Sequence, residues 1–169
     1  MSTALVWFRR DLRLTDHPAL YYATLAHERV IPIYIHAPQE ETPWAPGAAS
    51  REWLHHSLAA LDAAMRRHGS RLIVRQGDSL AALRELIRET GATAVYWNRL
   101  YEPATIARDR TVKSALHKDG IIAESRQAAL LIEPWTLLKA DTTPYQVFTP
   151  FWKACLLNLP PASPLPIPT

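Results

Sequence analysis

A doubly wound α/β fold, with a five-stranded parallel sheet and helices on both faces, is what this 169-residue sequence predicts. Three observations carry the prediction. Short apolar runs rich in β-branched and aromatic residues alternate with longer segments of helical period along residues 1–126. Of five glycines, Gly69, Gly91 and Gly120 each stand after a helical segment and just before an apolar run, where αβ loops are capped. Pro18 and Pro103 fall in the first turns of two helical segments, where a missing N–H costs nothing.

The elements follow in order. Residues 4–8, Ala-Leu-Val-Trp-Phe, read as a buried strand. That strand breaks directly into Arg9, Arg10, Asp11 and Arg13, with no glycine turn between. Three guanidinium groups cannot lie unpaired in a core, so they must be paired, solvated or holding something anionic. A helix over 17–27 and a strand over 30–35 come next. The helix over 48–68 is the clearest, because Leu54, Leu58, Leu61 and Met65 form one apolar stripe. Strands at 71–75, 93–97 and 121–125 then alternate with helices at 79–90 and 103–118.

Together these make a Rossmann-like sheet core over residues 1–126. Residues 127–159 read as a closing segment, with Leu130, Leu131, Ile132 and Trp135 and a short helix around 150–159. Residues 160–169 carry five prolines and read as the start of an extended interdomain linker, unable to close a core.

Composition sets the setting. Hydrophobic residues make up 48% of the chain and the mean hydropathy is −0.13, as in soluble globular proteins. The apolar runs are far too short for a membrane span. Arg9 and Arg10 interrupt the first of them, against a signal peptide. A single cysteine, Cys155, excludes an internal disulfide, suits the cytoplasm and reads as a small core residue. A net charge of +3 permits a nucleic-acid partner without requiring one.

In open parallel sheets, ligands bind beyond the carboxyl ends of the strands. Polar residues stand at each such end: Arg9 and Arg10, His36, Gln76 and Asp78, Asn98, Arg99 and Glu102, Arg126 and Gln127. No glycine-rich dinucleotide or triphosphate loop is present, and no nucleophile elbow. The seven histidines lack metal-ligand spacing and read as surface residues. The residues describe a ligand pocket without a reaction centre.

Five linked blocks carry a family resemblance. Residues 7–14, Trp-Phe-Arg-Arg-Asp-Leu-Arg-Leu, resemble the opening motif of the DNA photolyase and cryptochrome family. Residues 70–78, Ser-Arg-Leu-Ile-Val-Arg-Gln-Gly-Asp, are similar to its third strand and Gly-Asp loop. Residues 94–98, Ala-Val-Tyr-Trp-Asn, with Tyr101, Glu102 and Pro103, resemble its fourth strand and loop. Arg108 and Asp109 match an Arg-Asp pair in the helix that follows. Residues 144–151, Pro-Tyr-Gln-Val-Phe-Thr-Pro-Phe, with Lys153, resemble the block that closes its N-terminal domain.

The resemblance implies an antenna-chromophore-binding domain of a deoxyribodipyrimidine photolyase. In that family a separate helical domain binds FAD and damaged DNA, and cyclobutane pyrimidine dimers are repaired by electron transfer from reduced FAD. By that reading this chain holds no catalytic residue, its partners are its own FAD domain and, through it, damaged DNA, and it is a monomer without membrane contact.

The antenna is expected to be 8-hydroxydeazaflavin or FMN rather than methenyltetrahydrofolate. Folate-binding members carry an Asn-Glu pair where Ala104 and Thr105 stand here. Deazaflavin-binding members share an arginine opening the second helix, matched by Arg51, but carry acidic residues at the positions of Ala37 and Leu100. The expected site lies beyond the sheet's C-terminal edge, lined by Phe8, Arg9, Arg10, Tyr34, His36, Arg51, Asn98 and Glu102. Phe8 and Tyr34 would stack on a planar ring, and the arginines would meet an anionic tail or phenolate. Asp11 and Arg13 are expected to pair within their loop or against the FAD domain. The alternatives are a cryptochrome-type blue-light photoreceptor and a stand-alone nucleotide- or flavin-binding module.

Overall fold

A computed structural model describes residues 2–41, 45–157, 159 and 163–168. The strands are β1 (Thr3–Phe8), β2 (Arg29–His36), β3 (Ile73–Gln76), β4 (Ala94–Asn98) and β5 (Ile122–Arg126). The helices are α1 (Pro18–Ala26), α2 (Ala48–Arg67), α3 (Ser79–Thr90), α4 (Pro103–Lys118) and α5 (Phe148–Leu156), with short 3-10 turns at Pro38–Glu41 and Pro134–Thr136. The sheet order is β3-β2-β1-β4-β5 and every pairing is parallel. The chain therefore winds outward from β1 on one side, then restarts beside it at β4, as the alternation predicts.

β1 is central and fully buried, and its residues alternate between two cores. Leu5 and Trp7 pack with Leu83, Leu86, Val95, Trp97, Val112 and Leu116 under α3 and α4. Ala4, Val6 and Phe8 pack with Ala19, Leu20, Leu61, Met65 and Tyr96 under α1 and α2. Gly91 closes α3 in the left-handed region at φ 67°, donating its N–H to the Ile87 carbonyl. Strands β3, β4 and β5 each end one residue later than the sequence pattern suggests, so Gln76, Asn98 and Arg126 are strand residues. With this buried two-sided core, the chain is expected to melt as one cooperative unit. Leu83→Ala should cost about 2–5 kcal/mol in a denaturant titration followed by circular dichroism.

Three expectations need correction. His17 is not a surface residue: it is 1% exposed and caps α1, its Nδ1 accepting the Leu20 N–H at 3.0 Å. The α2 stripe is only half core, because Leu61 and Met65 are buried while Leu54 and Leu58 are partly open. Ser57, Ala60 and Ala64 on the same helix are too small to close the space beside the sheet. The closing helix spans Phe148–Leu156 and so starts before residue 150; Asn158 and Pro160 of the expected helix and linker lie outside the described residues, as do 161, 162 and 169. Cys155 is buried in α5, as expected. No helix among the described residues is long and apolar enough to cross a membrane.

Candidate functional site

The switch point between the ends of β1 and β4 is filled by the chain's own polar groups. Arg9, following β1, is 6% exposed and sends Nη1 to both carboxylate oxygens of Asp109 at 2.8 and 2.7 Å. Its Nη2 donates to the Asn98 carbonyl. Asp109 also accepts from Arg108 at 3.0 Å, and Arg108 faces Glu40 at 3.6 Å. Glu40 in turn accepts from the Ser79 N–H and hydroxyl, both at 2.6 Å, at the start of α3. Two guanidiniums and two carboxylates thus form a neutral chain across the sheet edge. Both guanidiniums lie over the Trp7 indole, at 5.0 and 5.1 Å from its centroid.

Beside this lies a second network. Asp11 accepts from the Arg9 N–H at 3.0 Å and from Asn98 Nδ2 at 2.6 Å, and stands 2.9 Å from His17 Nε2. Because His17 Nδ1 is an acceptor, its proton sits on Nε2 and points at Asp11. Asn98 Oδ1 accepts the Ala19 N–H at 3.0 Å. Burial alone would raise the Asp11 pKa, but the hydrogen bonds from His17, the Arg9 N–H and Asn98 outweigh it and hold it at about 2. Asp11 pairs within its own loop through the Arg9 N–H and His17, as expected from the sequence, and beyond it with Asn98 of β4.

The open space lies next to that plug. A cavity of about 870 Å³ runs between the ends of β1 and β2 and the inner face of α2, from Ser50 to Arg67, with His68 just beyond. Tyr34, Trp53 and Trp7 supply aromatic walls. Arg10, Arg51 and Arg67 supply positive ones and His36 a hydrogen-bonding ring, against Asp11 and Glu41. Arg10 is engaged by Glu102 and stands 3.8 Å from Glu41. Arg51 donates from Nη1 to the Pro46 carbonyl at 2.8 Å and its side chain belongs to the cavity wall. Burial, and then the Glu41 carboxylate, push the Tyr34 hydroxyl up, so it stays a donor through the neutral range. No group of metal-ligating side chains exists among the described residues.

Five of the eight residues singled out in the sequence line this cavity: Arg9, Arg10, Tyr34, His36 and Arg51. Three do not. Phe8 is fully buried in the core under α1 and α2, its ring 4.4 Å from that of His17, and is covered before it can reach the opening. Asn98 is 3% exposed and spends its amide on Ala19 and Asp11. Glu102 is exposed and engages Arg10 without joining the wall itself. Arg9 touches the wall while its charge is committed to Asp109. The sequence reading missed Trp53, which is 76% exposed on α2 outside the apolar stripe, and the small Ser57, Ala60 and Ala64 face. A tryptophan off the stripe was the available signal. Ala37 and Leu100 both belong to the cavity wall.

A family model described as DNA photolyase matches residues 4–169. A deoxyribodipyrimidine photo-lyase of Agrobacterium fabrum is 44% identical over 153 residues, covering 90% of this chain and 31% of its own length. Cryptochrome-1 of Arabidopsis thaliana is 42% identical over 164 residues, covering 96% of this chain and 24% of its own. Among solved structures, a bacterial class III photolyase from Agrobacterium tumefaciens superposes with a TM-score of 0.91 at 42% identity, over 99% of this chain and 34% of that one. A photolyase from Sulfolobus tokodaii, described with two FAD molecules and a novel light-harvesting cofactor, superposes with a TM-score of 0.79 at 26% identity. It is covered over 37% of its length. The chain thus spans about a third or less of the length of these proteins.

Proposed function

This chain belongs to the DNA photolyase family, and from that premise we propose that it is the antenna-holding α/β domain of a light-dependent enzyme that repairs cyclobutane pyrimidine dimers. The observation that carries the reading is the cavity between α2 and the β1–β2 edge, large enough for a tricyclic ring and walled by aromatic and cationic side chains. An antenna held there would supply light absorption for reduced FAD in a separate helical domain, which would also take the damaged DNA. This chain's residues bind, orient and shield. Tyr34 and Trp53 offer planar apolar surface, and the Tyr34 hydroxyl offers a hydrogen bond. Arg51, His36 and Arg67 can meet an anionic group.

A deazaflavin or flavin antenna fits this wall better than methenyltetrahydrofolate. Thr105, at a position of the folate-binding pair, is buried and gives its hydroxyl to Glu102, while Ala104 has no polar side chain. The two FAD molecules described for the Sulfolobus tokodaii photolyase agree with a flavin-class occupant. Ala37 and Leu100 leave the wall without two carboxylates that deazaflavin-binding relatives carry there, so the arginines dominate recognition.

Fluorescence titration of the 169-residue chain with 8-hydroxydeazaflavin, FMN and methenyltetrahydrofolate tests the reading. Saturable binding of one of the first two is expected, weakened about tenfold or more by Arg51→Ala through loss of a charge-assisted hydrogen bond. Failure of all three to bind, or binding indifferent to Arg51→Ala, would overturn the site. A cryptochrome-type photoreceptor is the second reading, favoured by the 42% identity to Cryptochrome-1. Dimer repair under light by a protein containing both domains separates the two.

A further inference from the structure

The stretch 163–168, expected as part of a linker, touches the sheet domain at two of its residues. Leu165 is fastened to the β1–α1 loop in both directions. Its N–H donates to Asp16 Oδ1 at 3.1 Å, and its carbonyl accepts the Asp16 N–H at 2.9 Å. Asp16 itself is held in the left-handed region at φ 49°, an uncommon backbone state for any residue but glycine. Arg13 secures that bend, its Nε and Nη2 donating to the Asp16 carbonyl at 3.2 and 2.9 Å. The same Nη2 reaches the Ala128 carbonyl at 3.1 Å. One guanidinium therefore fixes the loop and the closing segment, and the loop in turn fixes the tail.

Two residues beyond this latch, Ile167 forms part of the cavity wall. In an extended proline-rich stretch two residues span only about 6 Å, so the latch sets the position of Ile167 closely. The prolines on either side of Leu165 restrict the free chain as well, so seating the stretch costs less conformational entropy than seating an ordinary tail.

We propose that residues 163–168 form a strap completing the antenna cavity, with the Leu165–Asp16 bridge as its latch and Ile167 as a positioning residue against the bound ring. The inference rests on the antenna reading above. Apolar contact between Ile167 and a planar ring excludes water from one edge of the cavity. The bound molecule then leaves only when the strap lifts, so the latch governs residence time more than entry.

The test is stopped-flow dissociation and absorption spectroscopy on the 169-residue chain loaded with 8-hydroxydeazaflavin or FMN. Leu165→Pro removes the donor to Asp16 without touching the cavity, and Ile167→Ala removes the contact without touching the latch. Each should speed dissociation about tenfold, Ile167→Ala by taking one buried aliphatic contact from the ligand and Leu165→Pro by releasing the strap that presents it. Each should also move the absorption maximum toward its value in water, with the thermal melt unchanged. Ile167→Val should stay close to the unaltered chain. An unchanged rate and spectrum in Ile167→Ala overturns the proposal. If the unaltered chain binds neither chromophore, the antenna reading itself falls and the strap falls with it.

Discussion

Asp109→Ala should be the most damaging single substitution at the sheet edge, costing about 3–5 kcal/mol of folding stability. Among the described residues, Asp109 is the one carboxylate within salt-bridge reach of Arg9, which is 6% exposed, and it is shared with Arg108. Burial pushes the Arg9 guanidinium down and Asp109 pulls it back up, but arginine does not give up its proton in proteins. Truncation therefore leaves a buried cation with the Asn98 carbonyl, the Trp7 ring and the more distant Asp11 charge in place of its direct ion pair. Chemical denaturation followed by tryptophan fluorescence measures the loss. The double variant Arg9→Met with Asp109→Leu should recover most of it, because the penalty lies in the orphaned charge. A loss under about 1 kcal/mol for Asp109→Ala would show the pair to be solvated, as exposed pairs are.

Acid should weaken the same edge through Asp11. Its folded pKa of about 2 lies below the ordinary 3.8, so the folded state binds the proton less readily than the unfolded one. The carboxylate's contribution is present above about pH 4 and is lost as pH falls toward 2, amounting to about 2 kcal/mol at 1.36 kcal/mol per pKa unit. Stability measured at intervals between pH 5 and pH 2 should show that decline. Asp11→Asn should be less stable at neutral pH and should lack this part of the acid slope. An acid slope identical in the two proteins would mean that Asp11 is not the group held low by His17 and Asn98.

Much of the fold was legible because the sheet is parallel and covered on both faces. Near-continuous apolar runs, helical stripes and αβ-loop glycines mark such elements without tertiary knowledge. That same continuity hid which face each side chain serves. Phe8 and Trp7 look equivalent in a run that is apolar throughout, yet one stacks on His17 and the other reaches the cavity. The site was half legible for a related reason. Tyr34, His36 and Arg51 follow from strand ends and a helix start. The commitment of Arg9 to Asp109, and of Arg13 to Ala128, spans 100 and 115 residues of sequence and leaves no local trace. The cavity itself comes from what α2 lacks, a large side chain at Ser57, Ala60 and Ala64, and hydrophobic patterning counts what is present. His17 was misjudged because a cap residue is buried by its partners and not by its own hydropathy.

The central claim is that the space between α2 and the β1–β2 edge holds the planar chromophore, while the β1–β4 switch point is closed by Arg9, Asn98 and Asp11. Amide chemical-shift mapping by NMR during addition of 8-hydroxydeazaflavin or FMN tests it directly. The account predicts saturable shifts at His36, Arg51, Trp53, Ser57 and Ile167, with Leu5, Ala94 and Ala123 unmoved. Shifts centred on Asn98 and Asp109, or none at saturating ligand, would contradict it.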